Sequence, residues 1–137
     1  MAYWLIKSEP ETWSWDDQVK KKVEHWDGVR NFTARANLQA MKKGDLSFFY
    51  HSGGERQIVG IVSVVKESYP DPTDETGRFV MVDFKTDRPL KTPVTLKQTK
   101  DEPRLAGTEL VRLSRLSVQK VEPAAWKLIC KMGGVKP

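Results

Sequence analysis

Two short apolar runs, residues 46–52 and 58–65, flank a Gly53-Gly54 pair. Leu46-Ser47-Phe48-Phe49-Tyr50-His51-Ser52 is apolar at almost every position, and so is Ile58-Val59-Gly60-Ile61-Val62-Ser63-Val64-Val65. Successive side chains of a strand point to opposite faces, so a strand of this kind needs cover on both sides. The glycine pair supplies a turn, and the two runs read as antiparallel neighbours. Gly60 marks a bulge or a close approach of backbone, which a bent sheet needs. A covered sheet or a small barrel is the architecture that accepts these strands.

The flanking sequence fits around such a sheet. Residues 3–6 (Tyr3-Trp4-Leu5-Ile6) read as a buried strand that Pro10 ends, which leaves Lys7, Ser8 and Glu9 at the strand terminus. Ser14 is a helix cap with Asp16 and Asp17 in the first turn, and the helix runs to about Lys22. Trp15, Val19 and Val23 are spaced to share its inner face, and Trp13 and Trp15 read as packing residues. Asn31 caps a second helix carrying Ala34, Leu38 and Met41, which Gly44 stops. Residues 66–77 read as a loop stiffened by Pro70 and Pro72, and residues 79–85 as a strand. Leu90, Val94 and Leu96 anchor an irregular crossing. A turn at 100–103 and a short helical piece near Leu105 and Leu110 follow. Residues 115–121 form a last strand, and Pro123 opens a final helix closed by Gly133-Gly134. The expectation is an α+β fold in a single domain, residues 1–137, mostly antiparallel and barrel-like with flanking helices.

Composition narrows the function. A net charge of +5 and a pI near 9.4 favour anionic partners. The single cysteine, Cys130, permits no intramolecular disulfide and fits a reducing compartment. His25 and His51 are not at metal-ligand spacing. No apolar run reaches the roughly 18 residues of a membrane span, and the amino terminus reads as a strand, not a signal peptide.

The stretch Trp26-Asp27-Gly28-Val29-Arg30-Asn31-Phe32-Thr33-Ala34-Arg35 combines an aromatic beside a turn, a helix start and two arginines. Such a set can hold a planar or phosphate-bearing ligand; equally, Trp26 can be a core aromatic and the arginines solvated. The strand ends Lys7-Ser8-Glu9 and Tyr50-His51-Ser52 can converge on it. Lys20-Lys21-Lys22 is a solvated face or a phosphate-contacting edge. Glu9, His51 and Asp71 would form an acid–base set in an enzyme, but no nucleophile triad order or phosphate-cradling glycine loop accompanies them.

In order along the chain, Lys7-Ser8-Glu9-Pro10, Trp26-Asp27-Gly28-Val29-Arg30-Asn31 with Ala34-Arg35, Phe49-Tyr50-His51-Ser52, Gly60-Ile61, Tyr69-Pro70-Asp71, Arg115-Leu116-Ser117-Val118 and Trp126 resemble the EVE domain family. That resemblance implies a PUA-like fold related to the YTH domains. It implies a non-enzymatic module that reads a modified cytosine in DNA, 5-methyl- or 5-hydroxymethylcytosine, by base flipping into an aromatic and polar pocket. Base contacts would come from Ser8, Glu9, Trp26, Asn31, Tyr50, His51 and Ser52. Phosphate and backbone contacts would come from Lys7, Arg30, Arg35, Lys20, Lys21 and Lys22. No catalytic residue, metal or cofactor is implied. The expected partners are nucleic acid, with modified DNA ahead of RNA, and an effector protein. The expected chain is a monomer away from membranes, cytoplasmic and nucleoid-accessible in a bacterium or nuclear in a eukaryote. The alternatives are an RNA-binding or RNA-modification-associated module and a PUA-related nuclease. Family members commonly carry Trp where this chain has Phe79, which bears on a second wall of the aromatic cage.

Overall fold

The computed structural model describes residues 1–137. Strand β1 (Tyr3–Ser8) lies between β3 (Leu46–His51), to which it is parallel, and β6 (Val118–Val121), to which it is antiparallel. The hairpin expected across Gly53-Gly54 pairs β3 with β4 (Gln57–Pro70). Strand β5 (Val80–Thr95) returns along β4, and the short β2 (Val23–His25) adds to its far edge. The six strands run in the order β2-β5-β4-β3-β1-β6, a mixed and mostly antiparallel sheet. Because β2 and β6 are its two ends, it is barrel-like only loosely.

Both faces are covered, as the apolar runs require. Trp4 and Ile6 of β1 join Phe49, Val62, Phe84 and Leu38 on one side. Leu5, between them, joins Phe48, Tyr50, Ile58 and Trp126 on the other. The final helix α5 (Pro123–Met132) covers this second face, where the Trp126 ring stacks on Phe48 at 3.9 Å and on Tyr3 at 4.5 Å. Helix α2 (Phe32–Ala40) covers the first, and its buried Asn37 donates to the Val118 carbonyl at 2.7 Å. Gly60 is both a bulge site and a close approach. Register slips between Ile58 and Gly60, and a Cβ on Gly60 would overlap the six-membered ring of Trp15.

Several elements differ from expectation. Helix α1 (Trp15–Lys21) starts at Ser14 with a reciprocal capping box to Asp17, as its sequence predicts. Its inner face is Trp15 and Gln18, however, while Val19 and Val23 are exposed. Gln18 is tolerated because its amide is satisfied: Nε2 donates to the Lys22 and Phe84 carbonyls, and Oε1 accepts from the Trp13 indole at 2.9 Å. Strand β4 continues through residues expected to be loop, with Tyr69 opposite Met81 and Pro70 opposite Val80. The loop shrinks to residues 71–79. The irregular crossing at 90–96 is instead the end of β5 and the first residue of the next helix; Val94 pairs with Ile58, Pro89 sits opposite Gly60, and the register jump between them absorbs Pro93. The last strand begins at Val118, three residues later than expected. Helix α3 (Leu96–Asp101), a 3-10 turn (Pro103–Leu105) and α4 (Glu109–Arg112) complete the chain. No helix is long and apolar enough to cross a membrane.

Candidate binding cavity

Where β1 leaves the sheet, the Lys7 amide donates to the Ser117 carbonyl at 3.0 Å, just before β6 begins. Beside this junction lies a cavity of about 520 Å³, a size that suits a small planar ligand. The strand end with Ser8 and Glu9, the turn carrying Thr12 and Trp13, the segment from Glu24 in β2 to Asn31, and Ser117 wall it.

Two indoles line it, Trp13 and Trp26. Trp26 is half-buried, edge-on to Phe49 at 5.7 Å and to Phe84 at 5.8 Å, and its amide donates to the Val82 carbonyl. Trp13 is fixed by its amide, which donates to the Glu9 carbonyl, and by its indole N–H on Gln18. Ser8 is buried, and its hydroxyl donates to the Trp13 carbonyl, which ties the strand end to that indole. Both rings are thus held by groups behind them and need little ordering when a ligand arrives.

The polar wall is rich in acceptors. Glu9, Glu24 and Asp27 bring carboxylates, and the Ser8 oxygen keeps lone pairs free. Asn31 Oδ1 accepts from the Ala34 amide at 2.9 Å as a helix cap, so its Nδ2 is left to donate. The Lys7 ammonium reaches the Ser114 carbonyl at 2.8 Å, and burial lowers its pKa.

The loop owes its shape to Asp71, whose side chain is fully buried. Its Oδ2 accepts from the Gly28 amide at 2.8 Å and from Arg30 Nη1 at 3.1 Å. Its Oδ1 accepts from the Thr73 amide and hydroxyl. Burial alone would raise this carboxyl, but the hydrogen bonds from Thr73, Gly28 and Arg30 outweigh it and bring the pKa down to about 2. Gly28 is at φ 79°, a left-handed turn that presents its N–H to Asp71.

The family model for the EVE domain matches residues 2–132. The chain belongs to the EVE domain family. It is 32% identical to thymocyte nuclear protein 1 of Mus musculus over 98% of its own length and 75% of that protein. Among solved structures, Rpa0253 from Rhodopseudomonas palustris is 57% identical, with a TM-score of 0.93 over 98% of this chain and 94% of that one. Human THYN1, solved in complex with DNA containing 5-methylcytosine, is 31% identical, with a TM-score of 0.91 over the whole of both chains. The PUA-like architecture expected of an EVE domain is the one observed.

Within this EVE domain the predicted site residues divide. Lys7, Ser8, Glu9, Trp26, Arg30 and Asn31 come together at the cavity. Tyr50, His51 and Ser52 do not line it. The Tyr50 ring is buried in the opposite core layer. His51 Nε2 accepts from the Trp15 amide at 2.9 Å and Nδ1 meets Glu55 at 2.9 Å, so this histidine anchors the start of α1. The Ser52 amide donates to the Ser8 carbonyl at 2.9 Å, a support behind the wall. Arg35 lies outside as well, its guanidinium over Phe32 at 4.8 Å and bonded to the Arg78 carbonyl at 3.0 Å. Lys20 and Lys22 are exposed on α1 and its cap, and Lys21 pairs with Glu24 at 2.7 Å. Phe79 is not a cage wall either; it is buried under Phe32. The second aromatic is Trp13, which the sequence reading assigned to packing. Its signal was its place: it precedes the Ser14 cap, outside the helix, so helical spacing never bound it to the core.

Proposed function

We propose that this EVE domain is a binding module for DNA carrying a modified cytosine, and that the modified base leaves the stack to enter the cavity lined by Trp13 and Trp26. The observation that carries the reading is that cavity itself, with two pre-ordered indoles and a polar wall that offers both acceptors and donors. Extruding a base costs a few kcal/mol, and stacking on an aromatic returns roughly 1–3 kcal/mol. The exocyclic amino group of cytosine is a donor, and Glu9, Glu24 and Asp27 offer it acceptors, with Asn31 Nδ2 free to meet a base acceptor. A 5-substituent adds apolar surface against an indole. The human THYN1 complex with 5-methylcytosine DNA supports the same class of ligand. A binding role, not catalysis, fits the scatter of the candidate acid–base set. His51 is spent on Trp15 and Glu55, and Asp71 on Gly28, Arg30 and Thr73.

The test is a titration of the intact protein against matched duplexes with cytosine, 5-methylcytosine or 5-hydroxymethylcytosine at one central position, with an RNA of the same sequence alongside. The modified DNA duplexes should bind more tightly, and Trp13→Ala should remove that preference. Equal affinity for all of them would overturn the reading.

A further inference from the structure

We infer that Phe32 is a wedge that enters the duplex beside the extruded base, carried on a platform of Phe79, Arg35 and Arg30. This rests on the base-pocket reading above and extends it to the duplex the base leaves behind. Phe32 is 57% exposed, while every other aromatic residue of the chain is buried or half-buried. It is the first residue of α2 and directly follows Asn31, the last residue of the cavity wall.

The ring is not loose. It stacks on buried Phe79 with centroids 5.3 Å apart and planes 25° apart. The Arg35 guanidinium lies 4.8 Å over Phe32 and 5.9 Å over Phe79, and Arg30 lies 5.5 Å over Phe79 from the other flank. Arg35 is in turn held by the Arg78 carbonyl, and Arg30 by Asp71. Ring packing of this kind and cation–π contact both limit rotamer freedom, so the exposed ring is pre-positioned.

Arg35 pairs with no carboxylate, and Arg78 beside it is exposed. The patch is therefore apolar at its centre and cationic around it. That complements a duplex: a base step that has lost one member exposes stacking faces, and the phosphates on either side are anionic. Proteins that distort duplexes insert apolar side chains between base steps to offset lost stacking. Here the platform sits on the residue next to the pocket wall, where such a gap would open.

The experiment compares wild type, Phe32→Ala, Phe32→Trp and Trp13→Ala on a duplex with one central 5-methylcytosine, on the matched unmodified duplex and on the same modified strand alone. A single strand has no stacked partner to hold open, so it reads the pocket without the wedge. Phe32→Ala should weaken the modified duplex by about tenfold, one stacking contact, and leave the single strand unchanged. Phe32→Trp should restore duplex binding, and Trp13→Ala should weaken both ligands. Phe32→Ala also uncovers Phe79 and should lower the melting temperature slightly, but that loss would touch duplex and single strand alike, so the single-strand arm separates it from the wedge. If Phe32→Ala binds the duplex as wild type does, or weakens duplex and single strand alike, the wedge is wrong while the pocket stands. If wild type fails to prefer modified over unmodified duplex, the pocket reading and the wedge fall together.

Discussion

Replacing Asp71 by Asn keeps its size and removes its charge, which makes Asp71→Asn a direct measure of what holds the cavity loop. Asp71 satisfies four donors: Oδ2 takes the Gly28 amide and Arg30, and Oδ1 takes the Thr73 amide and hydroxyl. In asparagine one of these oxygens becomes an NH₂, which must face an N–H on either side. With a folded-state pKa near 2 against an ordinary 3.8, the ionised carboxylate is worth about 2 kcal/mol to the fold at neutral pH. An unfolding entropy of ~0.29 kcal/mol/K for a chain of this length turns that into a melting temperature lower by about 7 °C. The sign with pH follows from a depressed value. The contribution is complete above the ordinary carboxylate range and is lost as pH falls through the folded-state value near 2. Thermal melts of both proteins from neutral pH downward should therefore show the full gap at neutrality, closing between about pH 4 and pH 2. Equal stability at neutral pH, or a gap that persists undiminished in acid, would refute the assignment of Asp71 as an ionised latch.

Two further outcomes follow from the geometry. Gly60→Ala should lower stability by about 1–3 kcal/mol, seen in chemical denaturation, because the new methyl would overlap the ring of Trp15, which is itself buried; a neutral result would mean that Trp15 can withdraw freely. His51→Ala should also destabilise, by about 1–3 kcal/mol, through the orphaned Trp15 amide, and leave the preference for modified DNA intact; weakened DNA binding with unchanged stability would return His51 to the site.

The parts of this fold that were legible in the sequence are those decided by near neighbours. Ser14 and Asp17 are three residues apart and cap each other, and Asn31 reaches an amide three residues on. The Gly53-Gly54 hairpin is equally local. What escaped was decided across the sheet. Residues 66–70 and 86–95 carry prolines, an aspartate and threonines that read as loop, yet both segments pair, through register shifts, with a neighbouring long strand. Strand β2 is three residues long and exists only because β5 offers an edge. The site shows the same division. At the end of β1, Lys7, Ser8 and Glu9 line the cavity, but on β3 the alternation of side chains sends Tyr50 into the far layer, and His51 is claimed by α1. A strand terminus names a place and leaves the face undetermined.

The seat of β1, with residues 46–51 on one side and 118–121 on the other, ties the cavity to the last strand of the sheet. Its walls come from the first thirty-one residues and from Ser117; Ser8, Glu9 and Trp13 are tied locally, but Ser117 is brought to Lys7 by the pairing of β6 with β1. A fragment that stops before β6 would carry both tryptophans but lack the strand pairing that holds Ser117 against Lys7. Grip on a ligand and completion of the fold are then a single variable. A bound ligand stabilises the whole chain by mass action, and the melting point of the intact protein becomes a gauge of how full its pocket is.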